Sequence, residues 1–309
     1  MSFRLFLGLI CLFVSGMCFS QIYKWVDEEG KVHFGDKKFQ GVDQDVVALD
    51  DTKSDWTRFD INIKTIGVEL SEQENKNISD DVNNVYEFFD RILFFDIYKT
   101  VPVNILILKD RNEYTKYLIQ KKRGNMVSSY GIYFSKENQI VVYLRENRDD
   151  TFKTIRHEVS HAVVDTIVPY SPAWLNEGLA EQMETLQRTD AGLYIEPHTG
   201  NQWSVANSLD NNNLTSIDEF LKLPSDKWRH SLVDGQKNLQ SQAGQFVYFL
   251  LSTQTSQSFV MRLMHKFKRG DRTLSYYLVD DNYIGGVKAL EIKWNNWVKR
   301  QSNETIEFF

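Results

Sequence analysis

The sequence predicts an α+β fold in which a small mixed sheet carrying helices is followed by a mainly helical C-terminal lobe. Apolar segments of strand length lie in the first half of the chain, at Val101–Leu108, Tyr130–Phe134 and Gln139–Leu144. Two helical patterns follow them, and from Ser216 onward the apolar periodicity is helical. The composition, 309 residues of which 42% are hydrophobic and 25% charged, is that of an ordinary packed protein of one or two domains.

The boundaries of the remaining elements follow from periodicity and turn residues. A helix is expected at 76–92, and Ser135–Asn138 is expected to join two strands as a hairpin. Residues 41–60 are polar and predict a linker, and 188–212 are rich in Asp, Asn and Gly, which predicts a loop. The C-terminal helices are expected at 216–222, 238–252, 256–268 and 286–300.

The first 20 residues have the pattern of a secretory signal peptide. Arg4 precedes an apolar run from Leu5 to Val14, and a small-residue cleavage site lies before Gln21. The apolar run is shorter than the ~20 residues that a membrane-spanning helix needs. We therefore expect residues 1–20 to be removed, which leaves no stable membrane span.

Cysteine usage and charge exclude several classes of function. Cys11 and Cys18 are the two cysteines of the chain, and both lie in the predicted signal peptide. The mature protein is therefore expected to have no disulfide, no thiol nucleophile and no Cys metal ligand. The net charge of −6 and the lack of a Lys/Arg-rich run argue against a nucleic-acid partner.

Residues 22–36 predict a β-hairpin with turn residues at Asp27–Gly30. The residues that carry a family resemblance are Tyr23-Lys24-Trp25, Asp27, Gly30, Val32-His33-Phe34 and Asp36. They resemble a small module of unknown function that recurs behind signal peptides in proteobacterial envelope proteins. The resemblance implies a module over 21–50 in a periplasmic or secreted protein of a Gram-negative bacterium. Because a hairpin of this size is marginally stable alone, we expect it to dock on the main domain or on an envelope partner.

A metal-binding pattern lies in the first of the two helical segments, at His157-Glu158-Val159-Ser160-His161. Two histidines at i and i+4 project from one face of a helix and can share one Zn²⁺ ion. The glutamate between them is placed to take a proton from a water molecule. The buried stripe of the same helix falls on the opposite side, so the helix can present both imidazoles to a cleft.

The second helical segment supplies candidates for a third metal ligand. It opens at Ser171-Pro172, which we expect to be its N-cap and first helical residue. Glu177, Glu181 and Glu184 lie on one side of it. Glu177 is favoured as the ligand because Glu181 then falls one turn later, where a carboxylate can accept the free N–H of a ligating histidine. The alternative is Glu181 as the ligand.

These two segments together resemble a known enzyme class. The His-Glu-x-x-His motif followed by Trp174-Leu175-Asn176-Glu177-Gly178-Leu179-Ala180 resembles the gluzincins, which are thermolysin-like and aminopeptidase-N-like zinc peptidases, and especially their compact bacterial peptidase-MA-like families. The resemblance implies a thermolysin-like zincin subdomain over 60–187, with a mainly helical subdomain over 188–309.

The resemblance also implies roles for the candidate residues. His157, His161 and Glu177 would hold Zn²⁺, and Glu158 would be the general base of a peptidase that acts on peptides or proteins. Glu181 would be the carboxylate behind a ligating histidine. The strands between Tyr130 and Leu144 resemble the edge of the sheet that binds extended substrate.

The sequence departs from these families at two places, which bear on the expected substrate specificity and on the oxyanion-stabilising residue. Aminopeptidase-N-like enzymes bind the free amine of the substrate with a glutamate on this edge, but Ser129–Phe134 contains no acidic residue, so aminopeptidase specificity is not expected. Related families often place an oxyanion-stabilising Tyr at the start of a later helix, where this chain has Asn238–Gln242. Tyr248 and His230 are substitutes for that role, although a structural role is favoured for each.

Three other functions compete with this interpretation. One is a catalytically inactive zincin-fold binding protein, and another is a zinc hydrolase that acts on cell-wall peptides or lipids. A serine hydrolase is the weakest, because the chain has no Gly-x-Ser-x-Gly nucleophile elbow.

Overall fold

The structure is a computed structural model. It describes residues 22–26, 32–35, 45–47, 59–95, 97, 101–168, 170–224, 227–228, 238–300 and 304–308. The chain divides into two compact units, residues 1–56 and residues 57–309. The predicted signal peptide at 1–20 lies outside the described residues. The predicted subdomains 60–187 and 188–309 are parts of the same unit.

The first unit contains a three-stranded antiparallel sheet. Strands β1 (Ile22–Val26) and β2 (Val32–Gly35) pair antiparallel as predicted, with Trp25 opposite His33. A third strand, β3 (Asp45–Val47), pairs with the other side of β1. The prediction of a linker over 41–60 is therefore wrong at these residues, because a three-residue strand is too short to show an alternating pattern.

The second unit is built around a mixed four-stranded sheet. Its order is β4 (Phe59–Ile66), β5 (Val101–Leu108), β7 (Gln139–Tyr143) and β6 (Gly131–Phe134). β4, β5 and β7 run parallel, and β6 pairs antiparallel with β7 through the predicted hairpin. β6 is the outermost strand at this end of the sheet.

Helices pack on both faces of the sheet. One face carries α1 (Glu72–Glu87, continued by a π-helical turn at Phe88–Ile92) and α3 (Arg148–Ile167). The other face carries α2 (Arg111–Gln120), whose Tyr114 and Leu118 are buried against β5 and β7. The predicted helix at 76–92 therefore begins four residues earlier, at a capping box in which Ser71 and Glu74 bond reciprocally.

The predicted loop at 188–212 is wrong. It holds parts of a small antiparallel sheet, β8 (Leu186–Thr189), β9 (Gly192–Ile195) and β10 (Ile306–Phe308), and a helix, α5 (Thr199–Asp210). These strands are only three or four residues long, and β9 is completed by a strand more than a hundred residues later. Local pattern therefore could not show them.

The rest of this unit is helical. After α4 (Ala173–Glu184), discussed below, the C-terminal helices are α6 (Ile217–Lys222), α7 (Leu239–Leu251), α8 (Gln254–Lys268), α9 (Ser275–Asn282) and α10 (Gly286–Arg300). The predicted α+β class, with a small mixed sheet and a helical C-terminal region, is confirmed. Among the described residues, no helix combines the length and apolar character needed to cross a membrane.

Helix α4 packs closely against α7 through Gly178. A Cβ atom at this position would lie 2.7 Å from the backbone oxygen of Ala243 and would overlap the side chain of Val247. The side chain of Gln182 stabilises the packing of α4 against α7, because its Nε2 donates to the carbonyls of Gly178 and Gly244, at 2.8 Å each. This close approach depends on the absence of a side chain at Gly178.

We expect Gly178→Ala to lower the free energy of unfolding by about 1–3 kcal/mol, because the added methyl overpacks the α4–α7 contact. Helix propensity alone would favour alanine by up to about 1 kcal/mol. Urea denaturation of the metal-free protein measures the net change in the free energy of unfolding. Gly124→Ala is the matched control, because the nearest atom to its Cβ would be 3.8 Å away. A stabilised Gly178→Ala protein would contradict the packing argument.

Candidate metal centre

Helix α3 presents both histidines of the motif from one side. It begins after Asn147, whose side chain accepts from the N–H of Asp149. Phe152, Ile155, Val159 and Val163 are buried in the core as the pattern predicts. The imidazole rings of His157 and His161 lie 4.9 Å apart, centre to centre, nearly perpendicular to each other.

Helix α4 brings a carboxylate between the two imidazoles. Its N-cap is Pro172, one residue later than predicted, and Leu175 and Leu179 hold its other face in the core. Glu177 Oε2 lies 3.7 Å from the Nε2 atom of His157 and 3.7 Å from the Nε2 atom of His161. The two helices thus bring three potential ligand atoms, one each from His157, His161 and Glu177, within 4.8 Å of one another.

These three side chains could hold a metal ion. Two imidazole nitrogens and a carboxylate oxygen are a donor set that suits Zn²⁺ and leave one coordination position open. A tetrahedral site with bonds of about 2.1 Å separates two ligand atoms by about 3.4 Å. The observed separations of 3.7 Å between oxygen and nitrogen are close to that value.

The second nitrogen of His161 is held by Asn176. The Nδ1 atom of His161 lies 3.2 Å from Asn176 Oδ1. Because the amide oxygen can only accept, this contact places the ring proton on Nδ1 and leaves the Nε2 lone pair free. Asn176 was missed from the sequence, although its position beside Glu177 on the same helix was a signal.

The second nitrogen of His157 faces two carboxylates. Its Nδ1 atom lies 2.9 Å from Glu184 Oε1 and 3.7 Å from Glu181 Oε1. The nearer oxygen is off the axis of a linear hydrogen bond, so the contact with Glu184 is mainly electrostatic. Glu181, the carboxylate predicted to stand behind the histidine, faces the same nitrogen, and Glu184 lies closer to it.

Two side-chain amides from other helices donate hydrogen bonds to Glu181. Its Oε2 accepts from Asn201 Nδ2 on α5, and its Oε1 accepts from Gln240 Nε2 on α7 at 2.7 Å. Burial and the neighbouring Glu184 raise the pKa of Glu181. Burial also acts on Glu184, but contacts with His157 and His198 outweigh it and hold its pKa below the usual range. Glu184 is thus the more readily ionised of the pair.

His157, His161 and Glu177 are here called the tripod. Contacts around them shift the pKa values of His157 and Glu177. Burial alone would lower the pKa of His157, but Glu177 and Glu184 outweigh it and raise the pKa. Burial alone would raise the pKa of Glu177, but the two imidazoles outweigh it and lower the pKa. Imidazole and carboxylate therefore stabilise each other's charged forms.

Glu158 lies beside the tripod at the outermost strand of the sheet. Its side chain is buried, and burial raises its pKa while His161 and His157 oppose the rise. Strand β6 is close to it, because a Cβ atom at Gly131 would lie 3.2 Å from Glu158 Cγ. The Tyr133 N–H of the same strand also acts on the carboxylate and lowers its pKa.

A cleft of about 730 Å³ opens over these residues. Its lining includes Ile132 of β6 and the preceding Tyr130, the motif residues His157, Glu158 and His161, and Gln240 of α7. This volume lies within the range of about 300–1,000 Å³ that is typical of ligand-binding clefts. The described structure thus brings the motif, the third candidate ligand and the outermost strand together.

The two candidates for an oxyanion role have different outcomes. Tyr248 is buried, and its hydroxyl donates to the backbone oxygen of Glu304 rather than facing the cleft. His230 lies outside the described residues.

A comparison with protein families finds one match. A model described as a domain of unknown function (DUF4124) matches residues 9–55. This confirms the small N-terminal module of unknown function. The search of curated proteins finds no match.

Arg156 links three helices beside the candidate metal site. Its guanidinium donates to two backbone oxygens at the C-terminal end of α4, those of Met183, at 2.9 Å, and Glu184, at 2.6 Å. It also pairs with Asp81 of α1 at 2.8 Å. Burial raises the pKa of Asp81, and Arg156 opposes that rise. One side chain therefore ties α1, α3 and α4 together next to His157.

We expect Arg156→Met to lower the free energy of unfolding by about 3 kcal/mol, because it leaves a largely buried carboxylate without its partner. Adding Asp81→Asn should recover part of this loss. Arg188→Met is the control, because Arg188 pairs with Glu87 at the surface and such pairs contribute about 0–1 kcal/mol. Equal losses for the two arginine variants in urea denaturation would argue against the fastening role.

Proposed function

We propose that this chain is an exported zinc-dependent peptidase of the gluzincin type. The observation that carries the proposal is the position of Glu177 Oε2, 3.7 Å from the Nε2 atoms of both His157 and His161. Helix α3 supplies the two imidazoles and α4 supplies the carboxylate. The sequence resemblance of both helices to zinc peptidases supports the same site.

Zinc is the metal that this donor set favours, and when bound it polarises a carbonyl group and lowers the pKa of water. His157, His161 and Glu177 would hold it. Asn176 keeps the Nε2 atom of His161 unprotonated and therefore able to bind a metal ion.

Glu158 is proposed to be the general base. It would take a proton from the attacking water and return it to the nitrogen of the leaving amine. Its burial raises its pKa above the usual carboxyl value, which is the direction that makes a carboxylate a stronger base. Its place between the imidazoles and strand β6 puts it at the wall of the cleft.

An extended peptide is the proposed substrate. β6 ends the sheet, so among the described strands its outer side is not paired. An extended chain can add to such a strand through main-chain hydrogen bonds. Ser129–Phe134 has no acidic residue to bind a free amino terminus, which favours a peptidase that is not an aminopeptidase.

The periplasm or the extracellular medium of a Gram-negative bacterium is the proposed location. The match of residues 9–55 to the DUF4124 domain supports it, as does the signal-peptide pattern at 1–20. The module would then dock an envelope partner.

We expect Glu158→Gln to reduce peptide hydrolysis by at least ~100-fold, because the amide cannot accept the proton from water. The zinc content should stay at the wild-type level, since Glu158 is not one of the three proposed ligands. Cleavage of a broad peptide mixture and metal analysis of the same preparation measure both. A zinc-loaded wild-type protein that cleaves nothing would favour the inactive binding protein instead.

We expect Glu177→Gln to lower zinc content more than Glu181→Gln does, because Glu177 lies near both Nε2 atoms whereas Glu181 is bound by two amides. The two substitutions are chemically identical and lie one turn apart. Metal analysis after dialysis against a weak chelator distinguishes them. A greater loss in Glu181→Gln would reassign the third ligand.

A further inference from the structure

His198 is a histidine outside the sequence motif that reaches the site from a separate helix. It caps the N-terminus of α5, where its Nδ1 accepts the backbone N–H of Asn201 at 3.2 Å. Its other ring nitrogen, Nε2, lies 3.2 Å from Glu184 Oε2. Nothing in the pattern of residues 188–212 marks it as part of a site.

The cap determines which nitrogen of His198 carries a proton. Because Nδ1 accepts from a backbone N–H, the proton of the neutral ring must be on Nε2. That proton points to a carboxylate oxygen of Glu184, whose other oxygen lies 2.9 Å from His157 Nδ1. The three side chains therefore form a line in which Glu184 lies between two imidazoles.

We infer that His198 is a positioning residue for the zinc centre, holding Glu184 against the back of His157. This inference rests on the proposed zinc site. A carboxylate behind a ligating histidine fixes the orientation of the ring and makes it a better ligand. Glu184 is the last residue of α4. His198, the N-cap of α5, contacts the oxygen of its carboxylate that does not face His157.

Glu181 does not fill this role in the structure, because its nearer oxygen lies 3.7 Å from His157 Nδ1, against 2.9 Å for Glu184. Its two oxygens instead accept from the amides of Asn201 and Gln240. The two carboxylates therefore have different tasks. Glu181 ties α5 and α7 to α4, and Glu184 connects the zinc ligand to the cap of α5.

The test uses the substitution His198→Asn in the full protein. Asparagine is a favoured N-cap residue, so it keeps the cap of α5 but is too short to reach Glu184. We expect the zinc dissociation constant, measured by competition with a chromogenic chelator, to rise about 10-fold or more. The zinc-free protein should stay folded, with a cooperative urea transition, because the cap is kept.

Two further variants make the test specific. Glu184→Gln should weaken zinc binding about 10–100-fold, and adding His198→Asn to it should have no more than about a twofold further effect, because His198 acts through Glu184. His265→Gln is the histidine control, since this ring stacks on Phe95 away from the site. It should leave the zinc dissociation constant unchanged.

The outcomes separate this inference from the proposed function. Unchanged zinc affinity in His198→Asn, with zinc still lost in Glu177→Gln, would overturn the role of His198 and leave the zinc site intact. Full additivity of Glu184→Gln and His198→Asn would also overturn it. A wild-type protein that binds no zinc would overturn the proposed function and this inference together.

Discussion

The site depends on the convergence of α3 and α4. One turn of α3 separates His157 from His161, and this spacing alone can direct two imidazoles to a common point. A third ligand from another helix is useful only if that helix lies close enough for a carboxylate to reach both rings. Glu177 meets this condition, at 3.7 Å from each Nε2 atom. The cleft and the surrounding hydrogen bonds are arranged around that convergence.

The parts predicted from sequence are those that one helix or hairpin encodes by itself. The buried stripe of α3, the glutamate face of α4 and the β6–β7 hairpin all follow from residues within a few positions of one another. The predicted residues His157, His161 and Glu177 lie together in the structure.

The residues that sequence could not supply come from elsewhere in the chain. His198 and Asn201 lie on α5, a helix so polar that its segment was predicted to be a loop, and Gln240 lies on α7. No local pattern relates them to α4. The sequence favoured Glu181 as the carboxylate behind a ligating histidine, whereas the structure brings Glu184 closer to His157 Nδ1, at 2.9 Å against 3.7 Å. The amides that hold Glu181 come from α5 and α7, which no pattern within α4 reveals.

The helical C-terminal region is therefore a wall of the site rather than a separate lobe. Gln240 reaches Glu181 only because α7 lies close to α4, and Gly178 and Gly244 permit that distance. A Cβ atom at Gly244 would lie 3.0 Å from Glu181 Cβ and 2.6 Å from Asn201 Nδ2. A larger residue at either glycine would separate the helices and leave a buried carboxylate without its donors, which is costly. The packing of α4 against α7 and the hydrogen bonds of Glu181 therefore both require a short distance between these helices. Both helices lie in the compact unit over residues 57–309.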